Sequence, residues 1–450
     1  MLLDPIGRLW STATEKITRI NERFPPESPS PVITRAGRYE PQGWTEWTRG
    51  FQYGAALLAF DATNDHSLLE LGRRGTTRSM ASHVTHFGVH DHGFNNVSTY
   101  GALRRLMLEG RIARDEGELR CYEMALKASA AVQASRWSRT HEGGGFIYSF
   151  NGPHSLFSDT IRSLRSLALG FQLGHAVLAE NDQPIDLLER IVQHAATTAK
   201  YNVFYGDGRD RYDSAGRVAH EGLFNPNDGR YRCPSTQQGY SPFSTWTRGL
   251  AWIMLGYAEQ LEFFDTLADE QLDPLGGRAS IETVMLRAAQ STCDFYLEKT
   301  PIDGVPYWDT AAPGLAQLGG YLDRPADPFN EHEPVDSSAA AIACQGLLRL
   351  GRRLQERGDE ELASPYWQAG LTVLRSLLEA PYFAANADHD GLLLHAIYHR
   401  PRQWDYVPVG AATPRGEACM WGDYHLLEAA LYVQRFAREQ PYYAFFAPDV

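Results

Sequence analysis

Apolar residues recur with a helical period along nearly the whole chain, and strand-like alternation of apolar and polar residues is almost absent. Segments 243–263 and 336–356 are apolar on nearly every side, whereas 184–202 and 360–379 keep a polar stripe. This difference predicts an all-α protein in which six helical hairpins close into a ring of inner and outer helices. The predicted helices are 7–23, 45–62, 66–83, 94–110, 117–136, 159–180, 184–202, 243–263, 280–299, 336–356, 360–379 and 418–437.

No linker, charge run or low-complexity tract divides the chain, so residues 1–450 are expected to form a single domain. A helical solenoid would need a fixed sequence period, and none is visible. The irregular stretches 138–158, 203–242, 300–335 and 380–417 are too long for plain connections between helices. They are therefore expected to form the walls of a site.

The composition limits the classes of molecule that the protein is expected to bind. The 450 residues are 43% hydrophobic, which suits a large core, and the formal charge of −13 argues against nucleic acid and anionic membrane surfaces. An acidic substrate would need arginine or histidine placed locally at its site. Five scattered cysteines without C-x-x-C spacing indicate neither a disulfide framework nor a metal site. The start of the chain lacks a signal-like apolar run, so the cytoplasm is the expected location.

Two aspartates stand at predicted helix entrances, Asp91 in HDHGFNN and Asp159 in HSLFSDTIRSLRSL. Either could simply cap its helix, and Asp159 could pair with Arg162 one turn later. A ring of hairpins, however, gathers such entrances at one end. Two carboxylates brought together there suit glycoside chemistry, because burial and a like-charged neighbour can keep one protonated while the other stays ionised.

Aromatic and cationic residues cluster in two further motifs, WTEWTRGF and QQGYSPFSTWTRGLAW. A tryptophan stripe is often plain core packing, and that explanation stays open for Trp252. Arg248 is harder to explain as packing, since a guanidinium among apolar neighbours needs an anionic or polar partner. A carboxylate-bearing sugar could supply that partner while a tryptophan face stacks on the sugar ring.

A series of motifs in fixed order resembles the unsaturated glucuronyl hydrolases of glycoside hydrolase family 88. The motifs are WTRGF, HDHGF, Asp159-Thr160 at a helix entrance, Q-G-Y-x-x-x-x-x-W-x-R-G-x-A-W, YWD, DSSAAAIA and GDYHLLEA, between about residues 44 and 430. The resemblance implies an (α/α)6 barrel, a six-hairpin toroid. It also implies removal of a 4,5-unsaturated uronic acid from the non-reducing end of lyase-derived oligosaccharides, with no metal or organic cofactor.

Carried over by position, the resemblance implies that Asp159 is the catalytic acid/base and Asp91 the second essential carboxylate. Asp159 would have to be protonated near neutral pH, and burial beside Asp91 is expected to raise its pKa. Arg165 departs from the family pattern and is expected to contact an additional sulfate or carboxylate. The residues implied to contact substrate are Trp47, His90, His220, Gln238, Trp246, Arg248 and Trp252.

Three alternatives remain open at this point. An exo-glycosidase of the same fold could act on a saturated uronide, with Asp91 and Asp159 dividing the usual roles of the two carboxylates. A sugar epimerase could use His90 or His220 as bases. A non-catalytic carbohydrate-binding ring would need neither carboxylate. The sequence predicts an oligosaccharide partner but not its polymer, linkage, sulfation or the oligomeric state of the protein.

Overall fold

The computed structural model of the protein describes residues 2–42 and 46–446, and helices dominate them. Among these helices, none combines the length and apolarity that crossing a bilayer demands. The helices are α1 (Leu3–Arg23), α2 (Arg49–Thr63), α3 (His66–Ser79), α4 (Ala81–Val84), α5 (His92–Asn96), α6 (Ala102–Leu108), α7 (Glu116–Ser135), α8 (Thr160–Ser163), α9 (Arg165–Gln172), α10 (Leu187–Tyr201), α11 (Thr247–Phe264), α12 (Asp269–Leu272), α13 (Arg278–Lys299), α14 (Ser337–Glu356), α15 (Glu360–Leu377) and α16 (Met420–Ala437).

The helices form a closed double ring. The inner ring consists of α2, α5 with α6, α8 with α9, α11, α14 and α16, and it closes because α16 packs back onto α2. The outer ring consists of α1, α3, α7, α10, α13 and α15, each packed on inner helices. The predicted all-α (α/α)6 barrel is therefore confirmed.

Inner and outer helices differ in burial as their sequences predict. Every residue of α11 is buried, whereas α15 buries one face and exposes the other. Close packing within the inner ring depends on small residues: a Cβ added at Gly346 would lie 2.9 Å from the backbone of Met254 and Leu255 on the neighbouring helix. Small residues thus allow inner helices to pack on several sides.

Short strands lie within the long loops. They are β1 (Pro31–Arg35), β2 (Arg38–Pro41), β3 (Trp137–Arg139), β4 (Gly145–Ile147), β5 (Ser155–Phe157), β6 (Val177–Leu178), β7 (Pro184–Ile185), β8 (Glu221–Phe224) and β9 (Tyr231–Ser235). All the pairings are antiparallel, and the one sheet with three strands has the order β5-β8-β9.

Most predicted helices differ from those observed by a few residues at their ends, and two differ more. The helix predicted at 159–180 ends at Gln172, because the chain turns into the β6–β7 hairpin. The helix predicted at 94–110 begins at His92 and contains a π-helical turn over Val97–Gly101. The first residue of the helix predicted at 45–62 lies outside the described residues.

The inner helices begin at one end of the ring, called here the mouth. The residues that directly precede α5, α8, α11 and α14 are, in this order, Asp91, Asp159, Trp246 and Asp336. Beneath the cavity, toward the opposite end of the ring, lies a buried ion network, in which Arg162 contacts Glu259 at 3.0 Å and Glu428 at 2.8 Å.

The C-terminal tail packs against this opposite end. The Tyr443 hydroxyl donates to Glu428 at 3.0 Å, and the Tyr442 hydroxyl donates to Glu262. The Phe445 ring lies 6.3 Å from that of Phe263. The tail residues Tyr443 to Phe446 are buried. The tail therefore fills the end of the ring that lies away from the mouth.

Candidate active site at the mouth of the ring

A cavity opens at the mouth, and its walls combine aromatic rings with a few polar groups. A lining of this kind is typical of small-ligand sites. The lining residues are Trp47, His90, Asp91, Phe94, Phe150, Phe157, Asp159, Gln237, Gln238, Trp246, Arg248, Trp252, Tyr398, His399, Arg402 and Trp404.

The carboxylates of Asp91 and Asp159 do not cap the helices they precede. Both residues occupy N-cap positions, yet neither side chain accepts a capping hydrogen bond. Asp115 and Asp186, at the same position of outer helices, each accept two backbone N–H groups. The capping explanation therefore does not hold for Asp91 and Asp159, whose carboxylates are available to the cavity.

His90 lies between the two carboxylates. Its Nε2 is 3.2 Å from Asp159 Oδ1 and 3.9 Å from Asp91 Oδ1. The imidazole is 2% exposed and packs against the rings of Phe150 and Phe157. An imidazole held between two buried carboxylates is favoured in its charged form over an isolated buried imidazole.

This arrangement separates the pKa values of the two carboxyl groups. Burial raises the pKa of Asp91, in spite of the opposing field of His90. Burial alone would also raise the pKa of Asp159, but the positive field and hydrogen bond of His90 outweigh it and lower that pKa. The expected rise in the pKa of Asp159 is therefore wrong for this state of the site, because the sequence did not show that His90 contacts Asp159.

Close approach of α5 and α8 brings the two helix entrances together. A Cβ added at Gly93 would lie 2.4 Å from the backbone of Ser163. The Ser163 hydroxyl donates to the carbonyl of His90, and the amide of Gly93 donates to the hydroxyl oxygen at 2.9 Å. Glycine at position 93 thus allows the HDHG segment to pack directly on the helix that follows Asp159.

His220 reaches the same region through a strand pairing. Phe157 of β5 pairs with Glu221 of β8, and the Ser158 amide donates to the His220 carbonyl at 2.9 Å. His220 does not line the cavity, but its ring packs against those of Phe157 and Trp246, which do. The sequence placed His220 near the substrate without showing this pairing.

The tautomer of His220 is set by backbone amides. Its Nδ1 accepts from the amides of Gln237 at 3.1 Å and Gln238 at 3.4 Å, so the proton of the neutral ring resides on Nε2. Burial lowers the pKa of His220 to about 4. At neutral pH this imidazole is therefore an uncharged N–H donor, with no lone pair left for proton abstraction.

Arg248 lines the cavity but bonds mainly to the protein itself. Its guanidinium contacts Asp336 at 3.3 Å and donates to Gln238 Oε1 at 2.7 Å. It also donates to the carbonyls of Ile397 and Tyr398. The group lies between the rings of Trp246 and Trp421, 4.6 and 4.9 Å from their centroids. Arg248 thus ties α11 to α14 and to the loop at 397–398.

Arg165 is not at the site. Its side chain is 2% exposed, lies 3.6 Å from Glu259, and donates to the Gly93 carbonyl at 2.7 Å. It is absent from the cavity wall that the described residues form. The expectation that Arg165 contacts a sulfate is therefore wrong, because its position on α9 directs it into the buried ion network.

Sequence reasoning missed the wall formed by Tyr398, His399, Arg402 and Trp404. Asp405 holds this wall, accepting from the amides of Tyr398 at 2.5 Å and His399 at 3.1 Å. The available signal was the density of aromatic and basic residues in the long loop 380–417. The other lining residues missed were Phe94, Phe150, Phe157 and Gln237.

The site combines paired carboxylates with an aromatic cavity at the mouth of a ring of helical hairpins, an arrangement that suits a glycoside hydrolase of the (α/α)6 type. No protein-family model matches the chain. The chain is 26% identical over 437 residues to an unsaturated glucuronyl hydrolase from Bacillus sp. (strain GL1). This alignment covers 96% of each of the two chains. It is 25% identical over 416 residues to an unsaturated chondroitin disaccharide hydrolase from Streptococcus agalactiae serotype III, covering 91% of this chain and 86% of the other.

Solved structures show the same fold. An unsaturated glucuronyl hydrolase specific for heparin aligns with a TM-score of 0.73 at 19% identity, over 97% of this chain and 98% of the other. The enzyme from Streptococcus agalactiae aligns with a TM-score of 0.71 at 23% identity, over 98% and 94%. Together with the curated relatives, these matches confirm the resemblance to the unsaturated glucuronyl hydrolases that the motifs indicate.

Proposed function

We propose that this protein removes a 4,5-unsaturated uronic acid from the non-reducing end of lyase-derived oligosaccharides by hydrating the enol ether double bond. The observation that carries the proposal is the pair of uncapped carboxylates, Asp91 and Asp159, bridged by His90 at the wall of an aromatic cavity. Hydration of an enol ether needs one group that gives a proton to carbon and takes one back from water, which suits a carboxyl group in this position.

The proposed reaction uses Asp159 twice. Its protonated carboxyl gives a proton to C4, and positive charge develops at C5 and the ring oxygen. The resulting carboxylate takes a proton from a water molecule whose oxygen attacks C5. The hemiketal formed in this way opens and releases the remaining sugar. Asp91 is proposed as the second essential carboxylate, and the tryptophans of the cavity as surfaces for the sugar rings.

The relatives support an unsaturated uronide as substrate. Curated relatives act, by their names, on unsaturated chondroitin disaccharide, and a variant of the Streptococcus agalactiae enzyme has been solved in complex with dGlcA-GalNAc6S. The substrate of this protein is proposed to be of the same class, with its polymer, linkage and sulfation open. Location in the cytoplasm remains a prediction.

Features of the site disfavour the alternatives. An epimerase needs a histidine base, but the remaining nitrogen of His220, Nε2, carries the ring proton, and His90 is bonded to Asp159. A non-catalytic ring needs no uncapped carboxylates in its cavity. A saturated exo-glycosidase differs from the proposed enzyme only in its reaction, so an assay must separate the two.

The assay follows the ultraviolet absorbance of the enol ether. Unsaturated disaccharides from pectic, ulvan and glycosaminoglycan sources are expected to lose this absorbance with enzyme, while matched saturated disaccharides release no sugar. Asp159→Asn protein serves as the control for contaminating activity. Release of sugar from the saturated disaccharides, with the absorbance of the unsaturated ones unchanged, would favour the exo-glycosidase instead.

Arg402 is expected to contribute to affinity for the acidic substrate. It lines the cavity, and among the described residues no carboxylate lies within ion-pair distance of it. Arg402→Gln should raise KM by about tenfold with kcat little changed, and the effect should shrink at high salt because the residue is exposed. Arg400→Gln, in the same loop but outside the lining, is the control. An unchanged KM in Arg402→Gln would show that the anion is held elsewhere.

A further inference from the structure

His90 differs from the other buried histidines near the site in its direct contact with a carboxylate. The pKa values of His92, His194 and His220 fall to about 4, 3 and 4, mainly because burial disfavours their charged forms. His194 Nδ1 accepts from the amide of Ile147 at 3.0 Å, and His220 accepts from backbone amides in the same way. The pKa of His90 is raised instead, because the fields of Asp91 and Asp159 outweigh its burial.

We propose that His90 and Asp159 share a single proton across their 3.2 Å contact, and that this shared proton is the one delivered to the substrate. The proposal rests on the proposed function and assigns His90 a role beyond contact with the sugar. His90 acts through Asp159, so it is a positioning and proton-holding residue rather than the group that reacts.

The charges around the site support this assignment. Two ionised aspartates with a neutral imidazole would place two negative charges together on side chains only 11% and 13% exposed, which is costly. One proton on the His90–Asp159 pair removes one of these charges. Asp91 remains as a nearby carboxyl that favours keeping the proton there. The titratable and charged groups whose fields act at His90 or respond to it are Asp91, Asp159, Arg136, His92, His194 and His220.

The local structure holds the pair in place. The His90 carbonyl accepts from the hydroxyl of Ser163, on the helix that Asp159 precedes. Phe150 and Phe157 pack against the imidazole, with ring centroids 6.0 and 5.4 Å away, and against each other at 5.5 Å. These apolar rings reduce the access of water on their side of the imidazole, which strengthens the bond between imidazole and carboxylate.

At rest the proton resides on His90 Nε2 and is donated to the Asp159 carboxylate. It moves to the carboxylate oxygen as Asp159 transfers it to C4, and the electrons of the C4–C5 double bond form the new C–H bond. His90 is then neutral and Asp159 ionised. The water that attacks C5 loses a proton to Asp159, and the pair regains its single proton.

His90→Gln tests the proposal through activity. The glutamine amide can donate a hydrogen bond to Asp159 but cannot carry the proton. The variant should keep KM within about threefold while kcat falls by about 10²-fold, near the lower limit for proton-transfer groups. The alkaline limb of the kcat profile should move to lower pH, since Asp159 alone must then retain the proton. Full kcat with an unshifted limb would make His90 a structural residue and overturn the proposal.

Histidine NMR tests the pair without any substrate. In the parent protein His90 should titrate above the ordinary value of about 6.5, and in Asp159→Asn its pKa should fall, while His194 stays neutral in both proteins. A His90 titration that is unchanged by Asp159→Asn would overturn the proposal, even if His90→Gln fails to fold. If the titrations are coupled but unsaturated disaccharides are not consumed, the proposed function fails and the shared proton stands.

Discussion

Asp159→Asn is expected to leave the fold intact and to lower kcat on unsaturated disaccharides by about 10³- to 10⁴-fold. The amide has nearly the shape of the carboxyl group but can neither give a proton to carbon nor take one from water. Its side chain makes no capping hydrogen bond in α8, so no helix contact is lost. Steady-state kinetics, with circular dichroism as the check on folding, measures the effect.

The matched control is Asp186→Asn. Asp186 also occupies an N-cap position, but on outer helix α10, where its carboxylate caps two backbone amides. Asparagine caps about as well as aspartate, so both stability and activity should be retained. Turnover near that of the parent in Asp159→Asn would remove Asp159 from the chemistry and leave Asp91, whose pKa is raised by burial, as the acid.

Arg248→Ala is expected to destabilise the protein by about 3–5 kcal/mol, because it removes one partner of a buried charged contact and leaves Asp336 without its cation. Both residues of this contact are essentially inaccessible to solvent, with side chains 1% and 0% exposed. Arg248→Lys should also destabilise, since one ammonium group cannot replace bonds to Gln238, Asp336 and two carbonyls. Denaturant unfolding of parent and variants measures the change.

Arg402→Ala provides the comparison for Arg248→Ala. Arg402 lines the same cavity but is exposed, so its loss should leave the free energy of unfolding nearly unchanged. If Arg248→Ala unfolds like the parent and only raises KM, then Arg248 binds the substrate, as the sequence suggested. It would not be a residue that stabilises the mouth of the ring.

The ring could be predicted because its information is local. Helical periodicity and the contrast between apolar and amphipathic segments are properties of short windows, so α11 and α15 were assigned correctly to the inner and outer rings. The interruption over Val97–Gly101 was missed, since nothing in an apolar window distinguishes a π-helical turn from an α-helix.

The site was predictable where its residues lie at helix entrances, and less so elsewhere. Asp91, Asp159 and Trp246 follow from the geometry of a ring. The partners of Arg248 do not, because the carbonyls of Ile397 and Tyr398 lie 149 and 150 residues further along the chain. The direction of the pKa of Asp159 depends on one 3.2 Å contact with His90, which no pattern along the sequence contains.

In the part of the chain that the structure describes, the C-terminal tail fills the far end of the ring, so the cavity is closed at its inner end. Tyr442, Tyr443 and Phe445 pack against the ends of inner helices that lie away from the mouth, so a sugar chain cannot pass through the ring. Substrate must enter, and both products must leave, by the same opening. Under the proposed function, the end of a sugar chain is the part that reaches Asp159, which suits an exo-acting enzyme. Each cleavage also requires the shortened oligosaccharide to withdraw before another end can enter.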